Sequence, residues 1–248
     1  MVGFQPRARL VAALALGGVL IQGPEELLRR SDVGAFPPSS FRARLVLKTL
    51  PQNASHEIEV WRSGESKTLI RLLDPKERGK YLLRREGQLW LLSPSAKKPV
   101  RVSPSYRLYG GATLDEVLGL RLSRDYQIES VSREKDAGGT LVVFELRAGS
   151  EGMLFPRVHY VVREATERPV SATYRLRSGR EATSVEFLQW NDSGLVHARR
   201  VVVKDLLRKG ALTEVEILEL QERTIPDGLF ALEDSAARRA LETTSKSP

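Results

Sequence analysis

The chain contains no cysteine, and this absence excludes several kinds of site. Without thiols the protein has no disulfide, no thiolate-bound metal and no cysteine nucleophile. Bacterial lipoproteins carry their lipid on an N-terminal cysteine, so this chain is not expected to be a lipoprotein itself. The fold must therefore be held together by packing, hydrogen bonds and charge, and its function cannot depend on thiol chemistry.

The sequence also lacks the motifs of common catalytic sites. Its three histidines, His56, His159 and His197, lie far apart and have no partner at the spacing of a metal site or a catalytic triad. The Gly110-Gly111 pair lacks the lysine and serine of a phosphate-binding loop, and no G-x-S-x-G motif occurs. We therefore predict a protein that is not an enzyme, with no catalytic residue, no metal ion and no cofactor.

A long apolar run stands near the N-terminus, where Arg7 and Arg9 precede the segment LVAALALGGVLI at residues 10–21. A basic segment followed by a short apolar run is typical of a secretory signal, because a transmembrane helix needs about 20 apolar residues. No A-x-A cleavage site follows, and Pro24 is unfavourable just after a cut. Residues 1–23 are therefore predicted to be a signal peptide or an uncleaved inner-membrane anchor, and the protein is predicted to be periplasmic.

Positive charge is present in excess but is not gathered in one tract. The net charge is +8, and basic residues such as Arg42, Arg44, Arg62 and Arg71 stand beside acids in alternating segments. This distribution favours the solvated outer faces of a sheet, with an anionic partner surface as the alternative. It does not indicate a nucleic-acid partner.

From Phe41 onward, apolar residues recur at every second position. The segment FRARLVLKTL sets Phe41, Ala43 and Leu45 against two arginines, and similar segments follow at intervals of about eight to twelve residues. This pattern predicts an antiparallel meander. Helical periodicity is found instead after Pro24 and at residues 112–120, so a short entry helix and a helix inserted in mid-sheet are predicted.

Several of the predicted strands are apolar on both faces, as in the segment QLWLLSP around Trp90. An antiparallel strand of this kind must be covered on both sides. A sheet curled over a cavity with a helix across its mouth would provide that cover, and so would a sheet packed simply on its own helices. Because no segment has the composition of a linker between domains, one domain is predicted over residues 24–240, with a polar tail at 241–248.

Residues 74–105 carry a pattern that resembles a known family. A glycine, a leucine, a tryptophan and a proline are followed by a basic strand; the residues are Gly87, Leu89, Trp90, Pro94, Lys97, Lys98 and Arg101. The likeness continues at residues 108–126, around Pro169, and in the segments HARRVVVKDL and IPDGLF. In this order and spacing the chain resembles the LolA/LolB-like outer-membrane lipoprotein-sorting proteins.

The resemblance implies a mainly β fold, in which a single curved, unclosed antiparallel sheet forms a half-barrel of about eleven strands. An N-terminal helix and a lid helix would lie on its concave side. It also implies a monomeric periplasmic carrier that takes an acyl chain or lipidated cargo into an apolar cavity and works beside an inner-membrane transporter. A periplasmic sensor or adaptor that uses the same fold to bind a membrane protein is the alternative.

The expected site residues fall into three groups. The candidate cavity liners are Leu45, Leu47, Val60, Ile70, Leu72, Leu82, Trp90, Leu92, Leu118, Val143 and Tyr160. Arg62 follows Trp61 in the position of the arginine that latches the lid in the carriers, although Ser63 stands here in place of their proline. Lys97, Lys98 and Arg101 are predicted to dock the protein on an anionic membrane surface or on an acidic partner.

Overall fold

The computed structural model describes residues 23–35, 40–96, 98–103, 106–109, 121–192, 196–233 and 238. Thirteen strands in this part of the chain form one antiparallel sheet that is not closed into a barrel. The fold class predicted from the sequence is therefore confirmed, with two strands more than the rough number expected. None of the helices in the described ranges has the length and hydropathy that crossing a membrane requires.

The elements follow one another in a simple order. The strands are β1 (Phe41–Leu50), β2 (Ala54–Ser63), β3 (Lys67–Leu72), β4 (Tyr81–Arg85), β5 (Gln88–Leu92), β6 (Val100–Val102), β7 (Tyr126–Asp136), β8 (Gly139–Ala148), β9 (Arg157–Arg163), β10 (Arg168–Arg175), β11 (Glu181–Asn191), β12 (His197–Asp205) and β13 (Leu212–Glu222). Helix α1 (Pro24–Ala35) precedes them, and α2 (Leu122–Asp125) precedes β7. Short 3-10 turns lie at Pro75–Glu77, Glu164–Thr166 and Asp227–Phe230.

The sheet consists of two meanders joined through the first and last strands. Strands β1 to β6 form one meander and β7 to β13 the other, and β1 pairs with β13 from Phe41 opposite Glu222 to Leu50 opposite Leu212. Edge strands β6 and β7 therefore belong to opposite ends of the sheet although they are neighbours in the sequence. Because the central pairing joins distant parts of the chain, the sheet is completed only by non-local contacts.

The alternation in β1 has the structural meaning that the sequence predicted. Phe41, Ala43, Leu45 and Leu47 are buried on one face, and the residues between them are exposed or half-buried. Because successive side chains of a strand point to opposite faces, this face holds the core. We call it the inner face, and the opposite one the outer face.

Two apolar clusters cover the two faces. The inner cluster contains residues from α1, α2 and nearly all strands, including Leu28, Leu122 and Val158. The outer cluster covers β2 to β5 only, and it is closed by the chain that follows β13; its members are Trp61, Leu69, Tyr81, Leu83, Leu92, Ile225, Leu229 and Phe230, with Trp90 and Leu232 partly buried beside them. Strands β2 to β5 are thus covered on both faces.

The sheet curves strongly around the inner cluster. Helix α2 lies just before edge strand β7, yet Arg124 Nη1 lies 3.2 Å from Glu65 Oε2 in the β2–β3 turn. Strands β2 and β7 are separated in the sheet by seven other strands. The two can meet only if the sheet bends back on itself, which agrees with the half-barrel that the resemblance implies.

A buried charge cluster fastens β1, β2 and β3 together on the outer face. Glu59 and Arg71 are both buried, and Arg71 Nη2 lies 2.8 Å from Glu59 Oε2. Arg42 donates to the other oxygen of Glu59, and the Arg71 guanidinium lies 5.6 Å from the centre of the Trp61 ring. One carboxylate therefore serves two guanidiniums in a region that water hardly reaches.

Glu59→Gln should lower the free energy of unfolding by about 3 kcal/mol, because it removes the counter-charge of the buried Arg71. Glu57→Gln is the matched control: Glu57 lies in the same strand and pairs with the exposed Arg44, so its loss should cost less than about 1 kcal/mol. Denaturant unfolding of the two variants measures the difference. Equal losses would show that the Glu59 cluster is no stronger than a surface pair.

Candidate functional site

The inner face is apolar along most of the sheet, and helix α1 covers part of it. Leu27 and Leu28 of α1 join the inner cluster, and the helix packs on β10, β12 and α2. Beneath it lies Tyr160, almost completely buried, and burial raises the pKa of its hydroxyl. Helix formation here is favoured by Pro24 at the start and by Glu25 and Glu26 in the first turn, which complement the helix dipole.

Polar contacts fix α1 to α2 at the end of this cover. The buried Asp32 carboxylate accepts hydrogen bonds from the Ser123 backbone N–H at 3.1 Å and from its hydroxyl at 2.8 Å. Arg121 Nη1 donates to the Asp32 carbonyl oxygen at 3.1 Å. Burial raises the pKa of the Asp32 carboxyl, and the hydrogen bonds from Ser123 oppose that shift. The contacts hold residues 121–123 against α1.

The inner face of β2 to β6 is covered differently. Its apolar side chains include the buried Leu72, Leu82 and Leu89 and the partly buried Leu91 and Val102. In the described part of the chain, the segment after β6 covers this half of the face. Its residues Tyr106, Leu108 and Tyr109 pack against the inner cluster. Leu91, Val102, Tyr106 and Tyr109 are partly buried, so this part of the inner face is less completely covered than the part under α1.

Most of the predicted cavity liners lie together in the inner cluster. They are Leu45, Leu47, Val60, Ile70, Leu72, Leu82 and Tyr160. Leu118, and the helix predicted around it, lie outside the described residues. The structure therefore places the predicted liners of β1 to β4 and β9 in one continuous apolar cluster on the inner face, and their role as cavity liners stays a prediction.

Three predicted liners are on the wrong face. Trp90 and Leu92 belong to the outer cluster, because β5 alternates and it is Leu89 and Leu91 that point inward. Val143 is buried, but it stands between Val142 and Phe144, which both belong to the inner cluster. Strands that are apolar at consecutive positions give no sequence signal for which set faces inward, and a slip of one residue inverts the assignment.

A histidine–carboxylate pair, which the sequence analysis missed, fastens the segment after β6 to the sheet. His56 Nδ1 lies 2.5 Å from Asp74 Oδ2, and the His56 ring stacks on Tyr109 with centroids 3.8 Å apart and planes 4° apart. Burial, followed by the nearby Asp74 charge, raises the pKa of the Tyr109 hydroxyl. The partners are distant in sequence, so only the pairing of β2 with β3 brings them together.

Arg62 points to the inner face, since it alternates with Val60 and Ile58 of the inner cluster. Only 6% of its surface is exposed, and its Nε donates to the Gly64 carbonyl oxygen at 3.0 Å. Burial, together with the like charges of Arg121 and Arg84, lowers the pKa of Arg62 to about 10. The lid segment is outside the described residues, so the latch role of Arg62 stays a prediction.

The predicted docking residues lie at the β6 edge of the sheet. Lys98 and Arg101 are exposed, and Arg101 stands opposite Trp90 in the pairing of β5 with β6. Lys97 lies outside the described residues. Strand β6 is the terminal strand of the sheet, and docking through its basic residues stays a prediction.

Comparison with solved structures identifies the fold. A LolA superfamily protein from Nitrosomonas europaea is 24% identical with a TM-score of 0.75, over 84% of this chain and 96% of that one. An outer membrane lipoprotein-sorting protein domain from Vibrio parahaemolyticus is 16% identical with a TM-score of 0.68, over 83% and 95%. A DUF1329 family protein from Desulfovibrio piger has the same identity and TM-score, over 84% and 95%. These identities establish the fold alone.

Sequence comparison adds a family but no function. No curated protein matches the chain. A family model whose description reads "Uncharacterized protein" matches residues 64–234, which run from the β2–β3 turn to just beyond the last 3-10 turn. The chain therefore belongs to this family of uncharacterized proteins, and its fold is that of the LolA superfamily, as the resemblance predicted.

Proposed function

We propose that the protein is a periplasmic carrier that holds an acyl chain or a lipidated segment on its inner face and passes it across the cell envelope. The observation that carries this proposal is the continuous apolar cluster on the inner face, which strands of both meanders share and against which partly buried apolar residues pack. The likeness in fold to a LolA superfamily protein and to an outer membrane lipoprotein-sorting domain supports it.

The chemistry of such a face is burial rather than bond making. Each methylene moved from water to an apolar surface contributes about 0.8 kcal/mol. About ten methylenes therefore offset much of the entropy that the ligand and the protein lose on association. An acyl chain carried through an aqueous compartment therefore needs an extended apolar protein surface that other parts of the protein can cover. In the described part of the chain, the segment at 106–109 and helix α1 cover this face at two places.

Delivery requires a donor and an acceptor at the membrane surfaces. We place an inner-membrane transporter as the donor, and the β6 edge with Lys98 and Arg101 as the part of the molecule that approaches an anionic surface. Basic residues near such a surface are attracted by about 1 kcal/mol each, and the attraction fades within a Debye length of about 8 Å at physiological salt.

The acyl-binding claim is tested by two neighbouring residues of β5 that are both partly buried and point to opposite faces. Leu91→Gln places a polar amide on the inner face and should weaken the binding of a fluorescent fatty acid about tenfold, since a partly buried leucine contributes less than the roughly 2 kcal/mol of a fully buried one, about 1.4 kcal/mol. Trp90→Gln alters the outer face and should change the affinity by less than about twofold.

Fluorescence titration of the two variants, with circular dichroism to show that both keep their β structure, measures the contrast. Equal loss in the two variants, or no loss in either, would remove the inner face as the binding surface. A protein that binds no fatty acid at all would favour the adaptor function instead.

Docking at the β6 edge is tested by replacing Lys97, Lys98 and Arg101 with glutamine. Binding to vesicles that contain anionic lipid should weaken by about 1 kcal/mol per residue replaced, and the salt dependence should flatten. The matched control removes the same charge from the opposite end of the sheet, through Arg133→Gln, Arg147→Gln and Arg157→Gln, all at exposed positions.

Vesicle co-sedimentation at two salt concentrations compares the two triple variants. If both lose the same amount of binding, the attraction belongs to the net charge of the molecule and the β6 edge has no special role.

A further inference from the structure

We propose that four arginines on the inner side of the fold, Arg62, Arg84, Arg121 and Arg124, form a binding site for a phosphate group. We call them the arginine cluster. In the carrier, this phosphate is the headgroup of a lipid whose acyl chains lie on the inner face. The headgroup statement rests on the proposed function, whereas the phosphate site itself does not.

Two members of the cluster stand in one row across the sheet. Arg62 of β2 lies opposite Thr68 of β3, and Thr68 lies opposite Arg84 of β4. Arg84 points inward because it alternates with Leu82 of the inner cluster, as Arg62 does with Val60. The two guanidiniums therefore project from the same face of β2 and β4, the two strands that flank β3.

Arg121, just before helix α2, and Arg124, within it, add positive charge from above the sheet. Arg124 also donates to the Asp125 carboxylate through Nε at 2.7 Å and Nη2 at 2.8 Å, so it contributes charge rather than spare donors. Glu65, in the β2–β3 turn that follows Arg62, lies 3.2 Å from Arg124 Nη1 and 3.8 Å from Arg121 Nε. Arg121 is itself buried and is held by the Asp32 carbonyl oxygen. The curvature of the sheet thus brings guanidiniums from two sides to the same place.

Arg62 is the member whose surroundings point to an anion as its partner. Its side chain is buried, and within the described residues its one hydrogen bond joins Nε to the Gly64 carbonyl oxygen at 3.0 Å. That bond leaves the two terminal amino groups of the guanidinium as donors for a ligand. A buried guanidinium in a fixed position with donors to spare is costly unless an anion joins it.

The electrostatics agree with this geometry. After burial itself, the strongest influences on Arg62 are the charges of Arg121, Arg84 and Arg124, which lower its pKa, and of Glu65, which raises it. With a pKa of about 10, Arg62 still carries its charge at neutral pH among three other cations. A carboxylate ligand would offer two oxygen atoms to this group of arginines. A phosphate offers more acceptor oxygens and can accept bidentate pairs of hydrogen bonds from more than one guanidinium.

The surroundings of the row fit an amphiphile. Phe41 lies opposite Arg62 on one side, and Leu89 lies opposite Arg84 on the other. The next inward-facing residues of the same strands are Val60, Ile70 and Leu82, all buried in the inner cluster. A lipid phosphate held by the arginine cluster would therefore have its chains directed along an apolar surface that begins one residue pair away.

The test compares two lipids that differ only in the phosphate group. Binding of phosphatidic acid and of diacylglycerol with the same acyl chains is measured on the purified full-length chain. We expect phosphatidic acid to bind about tenfold more tightly, which is the effect of one charge-assisted hydrogen-bonded pair, and Arg62→Met to reduce the ratio to about one. Arg133→Gln, at an exposed position on β7, should keep the full ratio.

Arg62→Met removes one of four like charges from a buried place and is expected to fold; Arg84→Gln, at a half-buried position, is the second variant if it does not. A parallel titration with inorganic phosphate, against chloride at equal ionic strength, measures the melting temperature of the wild type and of the variant. A rise in the wild type alone assigns the site to phosphate independently of any lipid.

The outcomes separate the two claims. Preference for phosphatidic acid that Arg62→Met abolishes supports the lipid headgroup. Stabilisation by free phosphate without binding of either lipid supports the phosphate site and contradicts the carrier. Equal binding of the two lipids with no effect of phosphate leaves the carrier standing and overturns the arginine cluster as a site.

Discussion

The pairing of β1 with β13 is the contact on which the rest of the structure depends. It joins the first strand of the sheet to the last and so makes one sheet of two meanders. The same pairing places the segments that flank the sheet on opposite faces. Helix α1, which precedes β1, packs on the inner face, and residues 225–232, which follow β13, close the outer cluster over β2 to β5.

The two faces of the sheet differ in how they carry charge. Charge on the outer face is largely balanced across neighbouring strands, as in the pairs Arg44–Glu57, Arg200–Glu214 and Lys204–Glu186. The inner face is mostly apolar, and its charged features in the described part of the chain include the arginine cluster and the buried Asp205, which pairs with Arg107 and Arg208.

The sequence predicted the fold well because its alternation is clear where one face is solvated. In β1 the inward residues Phe41, Ala43, Leu45 and Leu47 could be assigned correctly from period alone. Alternation failed in β5 and β8, where both faces are buried and hydrophobicity carries no direction. Trp90 and Val143 were therefore placed on the wrong side.

The polar contacts were beyond sequence reasoning for a different reason. The pair His56–Asp74 and the cluster around Arg62 depend on the register of β2, β3 and β4, and on the curvature that brings α2 to the β2–β3 turn. Spacing along the chain contains no trace of that curvature. The resemblance did single out Arg62, and the structure shows it buried among like charges.

Mass spectrometry of the organic extract of the protein, purified from cells that export it, tests the central claim most directly. A carrier that holds an acyl chain on its inner face should release lipid in an amount comparable with the protein, and the lipid class would name the cargo. An extract free of lipid, from a protein that also takes up none from vesicles, would contradict the account. The inner cluster would then be only the core of the fold.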